Sequence, residues 1–250
     1  MNRYIPKNDH DAVLNNYQRD GVVRIREFFS PEMIVEIQSE LERYMRDDLP
    51  SLPPDAKTVE KDGVTIRNLW RLELYNTYFK ELAESDEIIS LVAKLVNGKP
   101  ILAGVETFNK PALVGSGVPY HQDNAYFCQT PPDMLTLWVA IDPVTAQNGP
   151  VYFIEESHKA GMRPTKISGV TGNSIGMAEQ PNIPKTDQFC GLLNPGDATI
   201  HHCETVHHSD PNHSSNSRLG LLFVYRGEHT RIKKELKEKY TNAVNSIPPA

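Results

Sequence analysis

The chain has 250 residues, 39% of them hydrophobic, and a formal net charge of −6. That is enough apolar material for one soluble domain with a sizeable core, and the mild acidity with scattered Lys and Arg leaves no footprint for nucleic acid. No apolar run reaches 18 residues, the start MNRYIPKNDHDAV is polar, and Cys128, Cys190 and Cys203 form no C-x-x-C pair, so the expectation is a cytoplasmic protein without membrane partners. Composition leaves the oligomeric state open. Residues 9–18 have helical spacing, and GVVRIREFF alternates as a strand after the Asp20-Gly21 turn. SPEMIVEIQSELERYM predicts an amphipathic helix, with Ser30 as N-cap, Pro31 at the first position and an apolar stripe of Met33, Ile34, Ile37, Leu41 and Tyr44. Residues 48–62, proline-rich and charged, read as an exposed loop. YFKELAES and DEIISLVAKLVNG are two further helices, the second expected to be capped by Gly98.

From residue 100 the period changes to two. ILAGVETFNK, LTLWVAID, PVYFIE, DATIHHC and LGLLFVYRG are short strands separated by turns such as Asn148-Gly149 and Pro195-Gly196, mostly with hairpin-length connections. Helices first and strands afterwards predict a mainly β fold, an antiparallel sandwich or barrel with flanking helices. The domain expected is single and spans 1–250: a helical part to about 99, a β core over about 100–228 and a solvated, charged C-terminal helix over about 229–245. Residues 160–189 are too long for a plain connection between strands and predict a structureless lid, with Gly161, Gly169, Gly172 and Gly176 as flexible points.

Chemistry concentrates in two places. In VPYHQDNAYF, His121 and Asp123 straddle Gln122, and strand alternation puts them on one face. Five of the nine histidines lie between 201 and 213, and Arg218 stands eleven residues after His207. Two His and one carboxylate on one face of an octahedral iron leave three adjacent positions open. A guanidinium nearby could pair bidentately with a cosubstrate carboxylate that also chelates the iron. The same histidines also read as a polar His-rich loop, or as a zinc site of the cluster alone, such as His202 with His207.

The H-x-D at 121–123, followed by H-x-S-x-x-N-x-S-x-x-x-R from His207 to Arg218, resembles the phytanoyl-CoA dioxygenase family. The resemblance extends over nearly the whole chain, through QRDGVVRIREFFSPEMI, LTLWVAIDPVTAQNGPVYFIEESHK and NPGDATIHHCETVHHS. It implies a double-stranded β-helix (a jelly-roll, cupin-like barrel) and an oxygenase using Fe(II), 2-oxoglutarate and O2, with His121, Asp123 and His207 ligating the metal. By the same resemblance Arg218 and Ser209 hold the far carboxylate of 2-oxoglutarate, and Trp138 lies near the cosubstrate pocket on a strand face shared with Thr136. His202 is expected in a supporting or core role, and His201, His208 and His213 facing solvent. The implied reaction hydroxylates an unactivated C–H and releases succinate and CO2, since relatives that halogenate lack the carboxylate at the position of Asp123. A small polar or anionic metabolite, such as an alkylphosphonate or amino-acid-like compound, is the expected substrate, with Lys110, Asn124, Tyr126, Arg71 and Lys166 as candidate contacts. Two other readings share these residues: a zinc hydrolase using the same three ligands, and a catalytically silent binding module on the same fold.

Overall fold

In the computed structural model, residues 4–170 and 173–246 are described. Tyr4–Pro6 (β1) pairs in parallel with Val22–Arg26 (β2), and helix His10–Asp20 (α1) crosses between them. α1 stops at Gly21, whose φ of 75° is a left-handed cap that side-chain-bearing residues avoid. Helix Pro31–Arg43 (α2) starts as its sequence dictates: the Ser30 side chain accepts from the Met33 amide at 3.2 Å, and Ile34, Ile37 and Leu41 are buried. Residues 48–62 are more ordered than a loop. They form two short 3-10 turns and Lys57–Val59 (β3), which pairs with Ile66–Leu69 (β4). Helices Leu72–Tyr75 (α3), Thr77–Ala83 (α4) and Asp86–Leu95 (α5) follow. α5 ends in an extended Val96 rather than at Gly98, which adopts φ 92° in the turn beyond.

The remaining elements are Pro100–Lys110 (β5), Val118–His121 (β6), Asn124–Phe127 (α6), Gln129–Thr130 (β7), Met134–Ala140 (β8) and Val151–Phe153 (β9). Thr165–Val170 (β10), Asn173–Met177 (β11), Phe189–Cys190 (β12), Ala198–His202 (β13), His207–Ser209 (β14), Arg218–Gly227 (β15), Arg231–Ile232 (β16) and Lys234–Asn245 (α7) complete the chain. An eight-stranded sheet runs β1-β2-β13-β8-β15-β5-β4-β3, and a four-stranded sheet runs β12-β9-β14-β6. Beyond β5, consecutive strands are rarely neighbours: β8 lies between β13 and β15, while β9 belongs to the other sheet. The expected hairpins give way to crossings between sheets, because period two marks a strand without naming its partner.

One face of the large sheet is covered by helices. Val13, Ile34, Ile37 and Leu41 pack on Ile25, Leu135, Leu137, Val139, Ile200, Leu221 and Phe223, each worth about 1.5–3 kcal/mol when fully buried. The other face looks across to the small sheet: Arg24 of β2 stacks on Phe189 of β12, and Phe153 of β9 lies 5.2 Å from His201 of β13. The 160–189 segment is not structureless. β10 and β11 pair as a hairpin, with Ile167 opposite Ile175 and Ile175 buried against Ala125 and Ala243. Gly172 lies outside the described residues. α7 carries charge outward, yet its Tyr240 packs on Tyr126 of α6 with ring centroids 5.9 Å apart, so it covers the hairpin and α6 rather than standing free. Among the described residues no helix is long and apolar enough to cross a membrane.

Candidate active site

His207 of β14 is paired directly with His121 of β6. Cross-strand partners in antiparallel strands hold their side chains together, and the two imidazole centroids lie 4.1 Å apart. The histidines thus meet as neighbours within the small sheet. Nor does strand alternation place Asp123: the strand ends at His121, and Asp123 sits at φ −58°, ψ −30°, opening the single turn α6. That turn swings the carboxylate between the rings, with Oδ1 3.6 Å from His121 Nε2 and 3.4 Å from His207 Nε2.

The hydrogen bonds of these rings define what the cluster can bind. His121 Nδ1 lies 2.8 Å from the Pro119 carbonyl and His207 Nδ1 2.9 Å from the Thr205 carbonyl. A carbonyl only accepts, so each Nδ1 carries the proton and each Nε2 presents a lone pair. Burial lowers the pKa of both rings, of His207 especially, with the neighbouring histidine acting the same way on His207, and keeps them neutral. Burial alone would raise the Asp123 carboxyl, but His207, the His201 hydrogen bond and His121 outweigh it and hold it well below the ordinary carboxylate range. Three acceptors thus converge, mutually within 4.8 Å, with no proton between them. Only a cation relieves that arrangement, and the donor set of two imidazoles and a carboxylate fits Fe(II). Among the described residues this is the one His/Cys/Asp/Glu cluster able to hold a metal.

Asp123 Oδ2 is already occupied. His201 Nε2–H donates to it at 3.0 Å and the Thr136 hydroxyl at 3.1 Å, which leaves Oδ1 facing the histidines. His201 was expected in solvent. It is buried, because the small sheet lies over that face of β13 and brings Phe153 against the ring. His208 is likewise buried, hydrogen-bonded to Gln188 and packed between Tyr120 and Tyr152. His202 is half-buried beside Tyr17 and His158, and His213 is exposed.

Arg218 begins β15, between β8 and β5 in the large sheet, on the face it shares with Trp138 and Thr136. It is 1% exposed, its guanidinium lies 5.1 Å from the Trp138 ring, and Nε and Nη1 have no hydrogen-bond partner. Burial, with the nearby Arg67 charge, pulls its pKa down to about 9. Arg67 is a second buried guanidinium, with Nε and Nη2 unpartnered and its nearest carboxylate, Glu60, 3.8 Å away. Both stack near Phe108, at 5.1 Å for Arg67 and 6.0 Å for Arg218. Two desolvated cations with free donors form a site for an anion. Arg67 was missed in the sequence because a lone arginine in TIRNLW carries no spacing signal. Ser209 is buried on β14, three strand positions from His207 counting both ends.

The candidate substrate contacts fare differently. Lys110 is buried, with its ammonium spent on the carbonyls of Ser116 at 2.6 Å and Asp210 at 2.7 Å. Asn124 braces α6, donating to Glu204 and to the Gln129 carbonyl while accepting the Gln129 amide. Tyr126 meets the His121 ring edge-on at 5.9 Å, but its hydroxyl donates to the Ile175 carbonyl of the hairpin. Arg71 is half-exposed and ion-paired with Asp55 at 2.8 Å, and Lys166 is exposed on β10. Of the five, Tyr126 alone reaches the metal-binding cluster.

A model of the phytanoyl-CoA dioxygenase family matches residues 17–220. A protein of Stutzerimonas stutzeri, named a probable alpha-ketoglutarate-dependent hypophosphite dioxygenase, is 29% identical over 218 residues, covering 84% of this chain and 76% of the relative. The ectoine dioxygenase of Stutzerimonas stutzeri strain A1501 is 25% identical over 230 residues, covering 85% of this chain and 75% of the relative. The crystal structure of EctD from S. alaskensis with 2-oxoglutarate and 5-hydroxyectoine superposes with a TM-score of 0.75 at 17% identity, over 89% of this chain and 77% of that one, and shares its fold.

Proposed function

From the premise that this chain belongs to the phytanoyl-CoA dioxygenase family and is an Fe(II)- and 2-oxoglutarate-dependent dioxygenase, we propose that it hydroxylates a C–H bond of a small polar or anionic metabolite. The observation that carries the reading is the pairing of two features on one face of the large sheet: a proton-free His121–Asp123–His207 cluster held there through Thr136 and the unpartnered guanidinium of Arg218. In this reading His121, Asp123 and His207 hold the iron through Nε2, Oδ1 and Nε2. Arg218 takes the far carboxylate of 2-oxoglutarate, Ser209 of the small sheet donates to the same group, and Arg67 adds a second positive charge. When bound, Fe(II) with 2-oxoglutarate and O2 supplies the oxidising chemistry, with succinate and CO2 released. Thr136 acts through Asp123, whose free oxygen it anchors, rather than on the cosubstrate. Trp138 and Phe108 lie against the guanidinium groups and pack with Leu222 as an apolar cluster, which would keep water from the anion-binding end. A zinc hydrolase would leave Arg218 without a task. One core cluster draws on residues from Ile5 to Tyr225, which supports a single domain.

The relatives named for hypophosphite and ectoine carry the names of small molecules, which is in keeping with a compact substrate such as an alkylphosphonate or amino-acid-like compound. Purified protein should bind one Fe(II) per chain by metal analysis and convert 2-oxoglutarate to succinate when presented with small anionic metabolites. Asp123→Ala/His207→Ala should lose both properties. A double variant that still consumes 2-oxoglutarate on substrate addition would remove these residues from the metal.

A further inference from the structure

Glu106 is an acidic side chain that the reaction above does not use. It lies on β5 opposite Leu222 of β15, which in turn lies opposite Trp138 of β8. Directly opposed residues of antiparallel strands point to the same face. Trp138 shares its face of β8 with Thr136, which donates to Asp123, so Glu106 lies on the face of the large sheet that looks toward the metal-binding cluster. Phe108, two residues on and on the same face, is the ring beneath Arg67 and Arg218. Roughly 7 Å of strand therefore separates Glu106 from the anion-binding end.

Its neighbours of the same type are all engaged. Glu60 accepts from the Ser116 hydroxyl at 2.7 Å, Glu73 from the Val105 amide at 2.6 Å, and Glu204 from the Asn124 amide at 3.1 Å. Glu106 is half-buried, and among the described residues no hydrogen bond or ion pair engages its carboxyl. Burial, reinforced by the charges of Asp123 and Glu73, pushes its pKa up to about 8. A partly desolvated carboxyl near other acidic charges is disfavoured in its charged form, and a cation beside it removes that penalty. An anionic group placed beside it would add repulsion to that cost. A cation would supply the missing partner.

We propose that Glu106 reads the substrate, and that the substrate presents to it a cationic nitrogen, an ammonium or guanidinium group. The proposal rests on the dioxygenase reading, in which Arg218 is committed to 2-oxoglutarate. The ammonium N–H groups donate to the Glu106 carboxylate, and the proton that the carboxyl held in the empty site passes to solvent. Glu106 does no chemistry: it fixes which carbon of the substrate faces the metal.

The test uses the Fe(II)-loaded full chain and matched probes differing only in ammonium against methyl: 3-aminopropylphosphonate with butylphosphonate, and 4-aminobutanoate with pentanoate. Succinate formation gives kcat/KM for each probe, and equilibrium binding of Fe(II) and 2-oxoglutarate without any probe is measured alongside. The wild type should favour the ammonium member by about tenfold or more in at least one pair, as expected of a charge-assisted hydrogen bond in a partly desolvated site. Glu106→Gln, which keeps the shape and removes the charge, should erase that preference while Fe(II) and 2-oxoglutarate bind as before. Equal response to both members of every pair, including none to either, overturns the proposal, as does a preference that survives in Glu106→Gln. Failure of the wild type to bind 2-oxoglutarate in the presence of Fe(II) would instead overturn the dioxygenase assignment of the site.

Discussion

Replacing Arg218 with methionine should stabilise the cofactor-free protein and disable the enzyme. The guanidinium is 1% exposed, two of its nitrogens have no partner, and burial followed by Arg67 holds its pKa near 9 rather than 12.5. A base whose folded-state pKa lies below its unfolded value destabilises the fold at every pH below the folded pKa. That penalty fades only as pH rises from about 9 toward 12.5, so it is complete at pH 7. At about 1.4 kcal/mol per tenfold change it amounts to something on the order of 5 kcal/mol. An arriving carboxylate recovers most of this, in keeping with the roughly 2–5 kcal/mol lost when one partner of a buried charge pair is removed. Methionine keeps the packing on Trp138 and removes the charge, so the apo protein should gain roughly 1–4 kcal/mol and melt several degrees higher, at about 2–4 °C per kcal/mol for a chain of this size. The apparent affinity for 2-oxoglutarate should fall roughly 30- to 4000-fold. Thermal melts of both proteins, with and without 2-oxoglutarate, read both effects in one experiment. An Arg218→Met protein that melts lower and binds 2-oxoglutarate as tightly as wild type would refute the reasoning and make Arg218 a structural residue.

His201→Leu leaves Asp123 Oδ2 with Thr136 as its sole donor, and removing such an outer hydrogen bond typically weakens metal binding by about 10–100-fold. Competition against a chelator checks it, and unchanged Fe(II) affinity would show that Thr136 alone orients the carboxylate. A Cβ at Gly220 would overlap the Trp138 indole, so Gly220→Ala should displace the ring from Arg218, cost about 1–3 kcal/mol of stability and weaken 2-oxoglutarate binding. A melt and a 2-oxoglutarate titration both matching wild type would mean that the indole moves without consequence.

Short-range spacing made much of this molecule legible in one dimension. Ser30 and Pro31 mark a helix start, a three-and-four stripe marks its buried face, and alternation after residue 100 marks strands, because each signal depends on neighbours a few residues apart. The H-x-D triplet and the His207-to-Arg218 motif are local in the same sense. The contacts that join them are not. That His207 meets His121 is a matter of strand register across 86 residues of chain, and that Asp123 reaches both depends on the backbone turning into α6 where alternation predicted a continuing strand. Alternation along DATIHHC separates His201 from Ile200 correctly, yet it cannot say that the far side is a cavity instead of water, since that depends on the small sheet lying opposite. The same limit explains Lys110, Asn124, Arg67 and Glu106. A polar or charged side chain has no partner written beside it; Lys110 is met by the Asp210 carbonyl and Asn124 by Glu204, both far along the chain, while Arg67 and Glu106 take their surroundings from strand pairing that only the assembled sheet supplies.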